Sequence, residues 1–289
     1  QEISFEWKKG ENYNYVEKKI TFLTSNQTAS YAYLLIPELK DPFKQRRPAI
    51  LALHGHGNNY ELGKEEVAGK KGDSNLAYGK DLVDKGYVVL IPDAMMFGDR
   101  FHIANNSPRT VEELTFQHMI NLGHPLFGIV FEEDQVALNL LASLDYVDPN
   151  RIGCIGHSFG GTRCMYLSAL DNRIKVSIIS NAVGKIKQPL ESGILLNWFS
   201  LLPGIGEFAD TNEILGLISP KPMAIIYTID DPIFLEKEVN EELPDLINLY
   251  KKIGKEEDLL IIKSQGQHEL KKEAKEQAYL FLGEKLENE

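Results

Sequence analysis

Short apolar runs rich in β-branched residues alternate along the chain with stretches whose apolar positions recur every three to four residues. The first pattern predicts strands and the second amphipathic helices. Their alternation predicts an α/β fold with a mostly parallel sheet. Residues 19–25 (KITFLTS) and 30–37 (SYAYLLIP) read as an antiparallel opening pair, followed by a charged turn, DPFKQRRP, at 41–48. Residues 48–55 (PAILALHG) are apolar on both faces, as in a central parallel strand. Further strands are predicted at 87–94, 151–155, 175–181, 222–229 and 259–264, which makes eight in all. Helices are predicted at 75–85, closed by Gly86, and at 132–147, 162–170, 236–253 and 270–286. Residues 183–219 read as an irregular insertion carrying Leu195, Leu196, Trp198, Phe199, Leu201 and Leu202. The whole, 1–289, reads as one domain with that insertion as a cap or lid.

The predicted strand at 151–155 runs directly into Gly156-His157-Ser158-Phe159-Gly160, a G-x-S-x-G sequence followed by a helical pattern. With 14 serines and 23 glycines in 289 residues, chance alone would give roughly 0.09 such matches. A serine on a tight strand-to-helix turn is lifted out of the sheet above a helix N-terminus, whose free N–H groups suit a developing oxyanion. Glycines on either side let the turn close.

A serine hydroxyl is a weak nucleophile without a base. The elbow therefore predicts an acid and then a histidine downstream, each just past a strand end. Asp230 and Asp231 follow the strand at 222–229, and His268 follows the one at 259–264. The residues themselves leave the choice of aspartate open. His54-Gly55-His56-Gly57 closes the first central strand and matches an oxyanion loop, with the backbone N–H groups of His56 and Phe159 as donors. The same His-x-His pair admits a metal-dependent reading, but the other upstream histidines, His102, His118 and His124, fall in one connection. Arg100 in MMFGDR is expected to pair with an acid.

Composition narrows the classes further. The chain is 43% hydrophobic and 25% charged, the balance of a globular protein rather than a disordered one. A net charge of −11 argues against nucleic acid or anionic membrane as a partner. Cys154 and Cys164 form no metal or redox motif and read as buried free thiols. No signal-peptide core is visible, which favours a cytoplasmic protein, or a secreted or periplasmic one if Gln1 is a processed start.

The segments LALHGHG, PDAMMFGDR, HPLFGIVFEEDQVALNLLASLDYVDPNRIGCIGHSFGGT, ALDNRIKVSIIS, LISPKPMAIIYTIDDPIF and GQHEL occur in an order that resembles the α/β-hydrolases of the dienelactone hydrolase and acetyl xylan esterase-like group. The resemblance implies an α/β-hydrolase fold with helices on both faces of the sheet. It also implies a serine ester hydrolase that needs no cofactor or metal, acting on small-molecule or carbohydrate esters, with short acyl groups such as acetyl favoured. It carries over Ser158, Asp231 and His268 as a catalytic triad, with His56 and Phe159 as oxyanion donors. The acid loop reads YTIDDP where relatives usually have a glycine before the acid. Acyl transfer or peptide cleavage by the same triad stays open as an alternative, ahead of a metal-dependent hydrolase or a non-catalytic scaffold.

Overall fold

In the computed structural model residues 2–12, 14–38, 46–102, 107–187 and 193–287 are described, so most of the charged turn at 41–48 lies outside the described residues. One sheet contains β1 (Glu2–Lys9), β2 (Asn14–Leu23), β3 (Ala29–Pro37), β4 (Arg47–Leu53), β5 (Val88–Pro92), β6 (Val147–His157), β7 (Ile174–Ser180), β8 (Met223–Thr228) and β9 (Leu259–Ser264). Its order is β1-β2-β3-β5-β4-β6-β7-β8-β9. The pairs from β1 to β3 and β3 to β5 are antiparallel, and all pairs from β5 across to β9 are parallel.

The eight expected strands are therefore nine among the described residues. The addition is β1, whose period-2 pattern is diluted by charges, as suits an edge strand that must not invite further pairing. Its Trp7 is 58% exposed. The second strand also begins earlier than expected, with Tyr15 and Val16 buried.

The helices are α1 (Lys64–Val67), α2 (Tyr78–Asp84), α3 (Pro108–Asn121), α4 (Leu126–Ala142), α5 (Phe159–Leu170), α6 (Thr211–Gly216), α7 (Glu236–Lys252) and α8 (Lys272–Glu287). Alternation along β4 sorts them into two layers. Ala49, Leu51 and Leu53 join Leu138 of α4, Leu167 of α5, Leu215 of α6 and Leu243 of α7. Ile50 and Ala52 join Leu82 of α2 and Leu282 of α8 on the other face. The sheet is thus covered on both sides, which its parallel half requires. As expected, Gly86 sits just past α2 with φ 94°, a conformation that glycine adopts without strain.

α3 was not expected. It buries one charged side chain, Glu112, rather than an apolar stripe, so hydrophobic periodicity does not reveal it. Its start was nevertheless written in the sequence: the Ser107 hydroxyl accepts from Thr110 N at 3.2 Å, and Pro108 opens the first turn. α4 runs from residue 126 rather than 132 and stops before 147, because Val147 already belongs to β6. The stretch expected to be irregular contains α6, held by an Asp210–Glu213 capping box. The expected thiols Cys154 and Cys164 are buried and free.

Where β6 meets α5 the backbones press together. A Cβ on Gly160 would overlap the Leu53 carbonyl oxygen of β4, and one on Gly156 would overlap the Gly160 carbonyl. Gly160→Ala should therefore lower stability by about 3 kcal/mol, read as an earlier midpoint in urea unfolding. An unchanged midpoint would contradict this close approach.

Candidate active site

Parallel strands end on the same edge of a sheet, and the loops leaving β4, β6, β8 and β9 carry His56, Ser158, Asp231 and His268. Ser158 sits between β6 and α5 with φ 57° and ψ −124°, a left-handed backbone for a residue with a side chain. The turn is over-determined by its neighbours. Ser158 N donates to Ser180 O at 2.8 Å, and Thr162 N donates to Ser158 O at 2.9 Å. Phe159 is the first residue of α5, so its N–H lies among those a helix cannot satisfy internally. Gly55 lies alongside, with a Cβ there reaching 3.8 Å from that of Ser158, so the β4 loop and the elbow are adjacent.

Asp231 is buried, and its Oδ2 lies 2.7 Å from His268 Nδ1. Asn181 Nδ2 donates to the same oxygen at 2.7 Å, while the amides of Ile233 and Phe234 donate to Oδ1 at 2.8 and 3.0 Å. Burial alone would push this carboxyl up. The bond and charge of His268, with Asn181 and the Ile233 amide, outweigh it and hold the group below its ordinary value. Asp230, by contrast, is exposed, and its amide donates to Gly266 O. The structure thus brings Asp231, not Asp230, to the histidine. With Nδ1 engaged, His268 has Nε2 to offer elsewhere.

A line of bonds ties the residue before the serine to this carboxylate. Ser180 Oγ donates to Asn181 Oδ1 at 3.1 Å, so His157 Nδ1 is the donor in its 3.0 Å bond to Ser180. Burial, aided by the charge of nearby His268, pushes His157 down to about 3 and keeps it neutral. The rings of His157 and His268 are 4.9 Å apart, which places the downstream histidine against the elbow. Asn181 Nδ2 also donates to Thr228 Oγ1 at 2.6 Å, and Thr228 in turn donates to the carbonyl of Gln267, next to His268.

On the other side, His56 is buried against Tyr60 and Phe97, with ring centroids 5.0 and 5.2 Å away. Its Nδ1 accepts from Asn58 N at 3.1 Å, so Nε2 donates to Glu112 at 2.9 Å. Glu112 also accepts from Tyr60 OH and, at 2.6 Å, from Trp198 N. Burial pushes its carboxyl up, but His56, Tyr60 and that amide outweigh it and hold it below its ordinary value. His54 has a different partner set: Nδ1 donates to Gly55 O at 2.7 Å and Nε2 accepts from Ala94 N at 3.0 Å. Burial, then the nearby Arg163, pushes His54 well down. Every ring nitrogen of the His-x-His pair is therefore spent on a hydrogen bond, which leaves no donor for a metal ion. Arg100 forms a two-pronged ion pair with Glu133 at 2.6 and 2.7 Å, as expected.

Asn181 and Glu112 were missed by sequence reasoning. Asn181 ends a predicted strand with no motif to mark it, and Glu112 lies in the unrecognised α3.

Comparison with known proteins agrees with this architecture. Residues 64–193 match the dienelactone hydrolase family. The chain is 27% identical over 261 residues to YtaP of Bacillus subtilis (strain 168), a protein named as a hydrolase; the match covers 88% of this chain and 83% of that one. A Bacteroides fragilis structure named as an acetyl xylan esterase superposes with a TM-score of 0.73 at 19% identity, covering 91% of this chain and 70% of that one. A glucuronoyl esterase from Solibacter usitatus gives 0.69 at 14% identity, covering 98% and 84%. The fold class is α/β-hydrolase. The dienelactone hydrolase match over residues 64–193 accords with the resemblance that the sequence segments carry, and the superposed structures share the fold. No helix among the described residues is long and apolar enough to cross a membrane.

Because the Asp231 carboxyl is held below its ordinary value in the fold, its contribution to stability is complete above the unfolded value, near pH 4, and is lost as pH falls through the folded value. Asp231→Asn should therefore cost about 2 kcal/mol at pH 7, and its gap to wild type in urea unfolding should shrink on acidification below about pH 4. A gap that does not change with pH would contradict the assigned ionisation. Glu112→Ala leaves His56 Nε2 and the Trp198 amide without their buried acceptor; a loss of about 2 kcal/mol is expected, checked by thermal unfolding.

Proposed function

We propose that this chain is a serine carboxylic-ester hydrolase that works through an acyl-enzyme on short-chain, acetyl-type esters. The observation that carries the reading is the bond of the buried Asp231 to His268, beside a serine held at φ 57° on a strand-to-helix turn. In this reading Ser158 Oγ attacks the ester carbonyl carbon as His268 Nε2 takes its proton. Asp231 holds the imidazole through Nδ1 and stabilises the imidazolium. The carbonyl oxygen, now negative, accepts from the backbone N–H groups of Phe159 and His56, each worth about 3 kcal/mol in such a role. The C–O bond to the alcohol then breaks, and His268 returns the proton to the leaving oxygen. Water, deprotonated by the same imidazole, attacks the acyl-serine; the acyl C–Oγ bond breaks, His268 returns the proton to Ser158 Oγ, and the carboxylic acid leaves.

Short acyl groups are favoured by the sequence resemblance and by the similarity to a protein named as an acetyl xylan esterase. That likeness by itself offers a carbohydrate alcohol as well. The segment 183–219 acts as a cap in this reading, since Trp198 of that segment is hydrogen-bonded to Glu112, which also holds the His56 loop.

Hydrolysis of p-nitrophenyl acetate tests the proposal. Ser158→Ala and Asp231→Asn should each lower kcat about ten-thousandfold, whereas Asp230→Asn should stay within about twofold of wild type. A fluorophosphonate should label Ser158, and EDTA should have no effect. Retained turnover in Ser158→Ala, or loss with EDTA restored by zinc, would overturn the assignment.

A further inference from the structure

A cavity of about 450 Å³ opens beside the proposed triad, between α5, the 183–219 segment and the loop that follows Asp231. Two of its lining residues adjoin the site. Thr162 stands one helical turn after Ser158, and Phe234 stacks on the His268 ring with centroids 5.9 Å apart. Met165, Tyr166, Ile186, Leu201 and Ile233 make the remaining surface mostly apolar. An acetyl group has no use for a space of this size, which lies in the range that accommodates whole small molecules.

One side chain in this lining is out of character. Glu238, in the first turn of α7, is 2% exposed. Its Oε2 accepts from Lys185 N at a long 3.3 Å, and its Oε1 has no hydrogen-bond partner. The charges around it are committed elsewhere: Lys185 Nζ pairs with Glu241, and Glu242 accepts from Asn212 N at 2.9 Å. Burial pushes the Glu238 carboxyl up, unlike that of Asp231. A buried polar atom left without a partner is costly, so a partner brought by a ligand is strongly favoured.

We propose that this cavity receives the alcohol moiety of the ester, and that Glu238 is its specificity-determining residue, hydrogen-bonded to a single hydroxyl on an otherwise hydrocarbon alcohol. The assignment rests on the ester-hydrolase reading above. The leaving oxygen must sit against His268 to receive its proton, and Phe234, stacked on that ring, lines the cavity. In this mostly apolar lining Thr162, Lys185, Ser200 and Thr211 are engaged with other groups of the protein and Glu238 Oε1 has no partner, which selects a mostly hydrocarbon alcohol over a sugar, whose several hydroxyls would be buried unpaired.

Hexane-1,6-diol monoacetate and hexyl acetate share the acyl group and differ by one hydroxyl. Wild type should prefer the first by about tenfold in kcat/KM. Glu238→Leu should abolish that preference, and Glu238→Gln, isosteric and still able to hydrogen-bond, should keep part of it. Equal rates in wild type, or a preference that survives Glu238→Leu, would overturn the proposal. A hydroxyl preference confined to p-nitrophenyl 6-hydroxyhexanoate over p-nitrophenyl hexanoate would overturn the alcohol-side assignment. Difference infrared spectra at pH 7 need no turnover. A carboxyl band that vanishes in Glu238→Gln and shifts with hexane-1,6-diol is expected, and its absence would overturn the role of Glu238. Failure of wild type on every acetate, p-nitrophenyl acetate included, would instead overturn the ester-hydrolase reading while the infrared result stands by itself.

Discussion

A carboxylate removed from water keeps its charge only where donors replace the water, and the edge of this sheet is organised around that requirement. Asp231 has four donors: His268, Asn181 and two backbone amides. Glu112 has three: His56, Tyr60 and the Trp198 amide. Both stay below their ordinary values despite burial. Each ties a separate piece of chain to the loops around Ser158. One fixes the β9 loop with His268, and the other fixes the β4 loop with His56 and fastens the 183–219 segment to it. Neither anchor tolerates loss of its partners cheaply, because the remaining groups would be buried and unpaired.

Glu238 shows the opposite balance in the same neighbourhood. It has one long amide bond and a free oxygen, and its value moves up rather than down. The contrast among three buried acids separates roles that burial alone does not. Those saturated with donors are structural or orienting, and the undersatisfied one faces a cavity. Between them the elbow is held by backbone contact, since Gly156 and Gly160 bring α5 against β4 more closely than any side chain would permit. The strained serine is held in place by that packing and by the bonds of its own amide and carbonyl.

Most of the fold was legible because its central strands are buried on both faces and so read as continuous apolar runs. The pieces that were not legible share a cause. β1 lies at an edge and carries charges, and α3 turns a carboxylate inward instead of an apolar stripe. Hydrophobic periodicity reports burial of hydrocarbon and is silent where the buried group is polar. The same silence hid Asn181, Glu112 and Glu238, none of which sits in a motif.

The sequence by itself determined the alternation of strands and helices, the G-x-S-x-G turn, and the order of serine, aspartate and histidine, because these are local or periodic properties of the chain. It favoured Asp231 over Asp230 only through the resemblance, since neighbours in a turn differ chiefly in where the loop points them. Tertiary structure decided between them by burying one beside His268 and exposing the other. It also spent the nitrogens of His54 and His56 on hydrogen bonds and enclosed the cavity beside Phe234. Those outcomes depend on distances between residues far apart in the chain, which only the packed sheet and its two helical layers set.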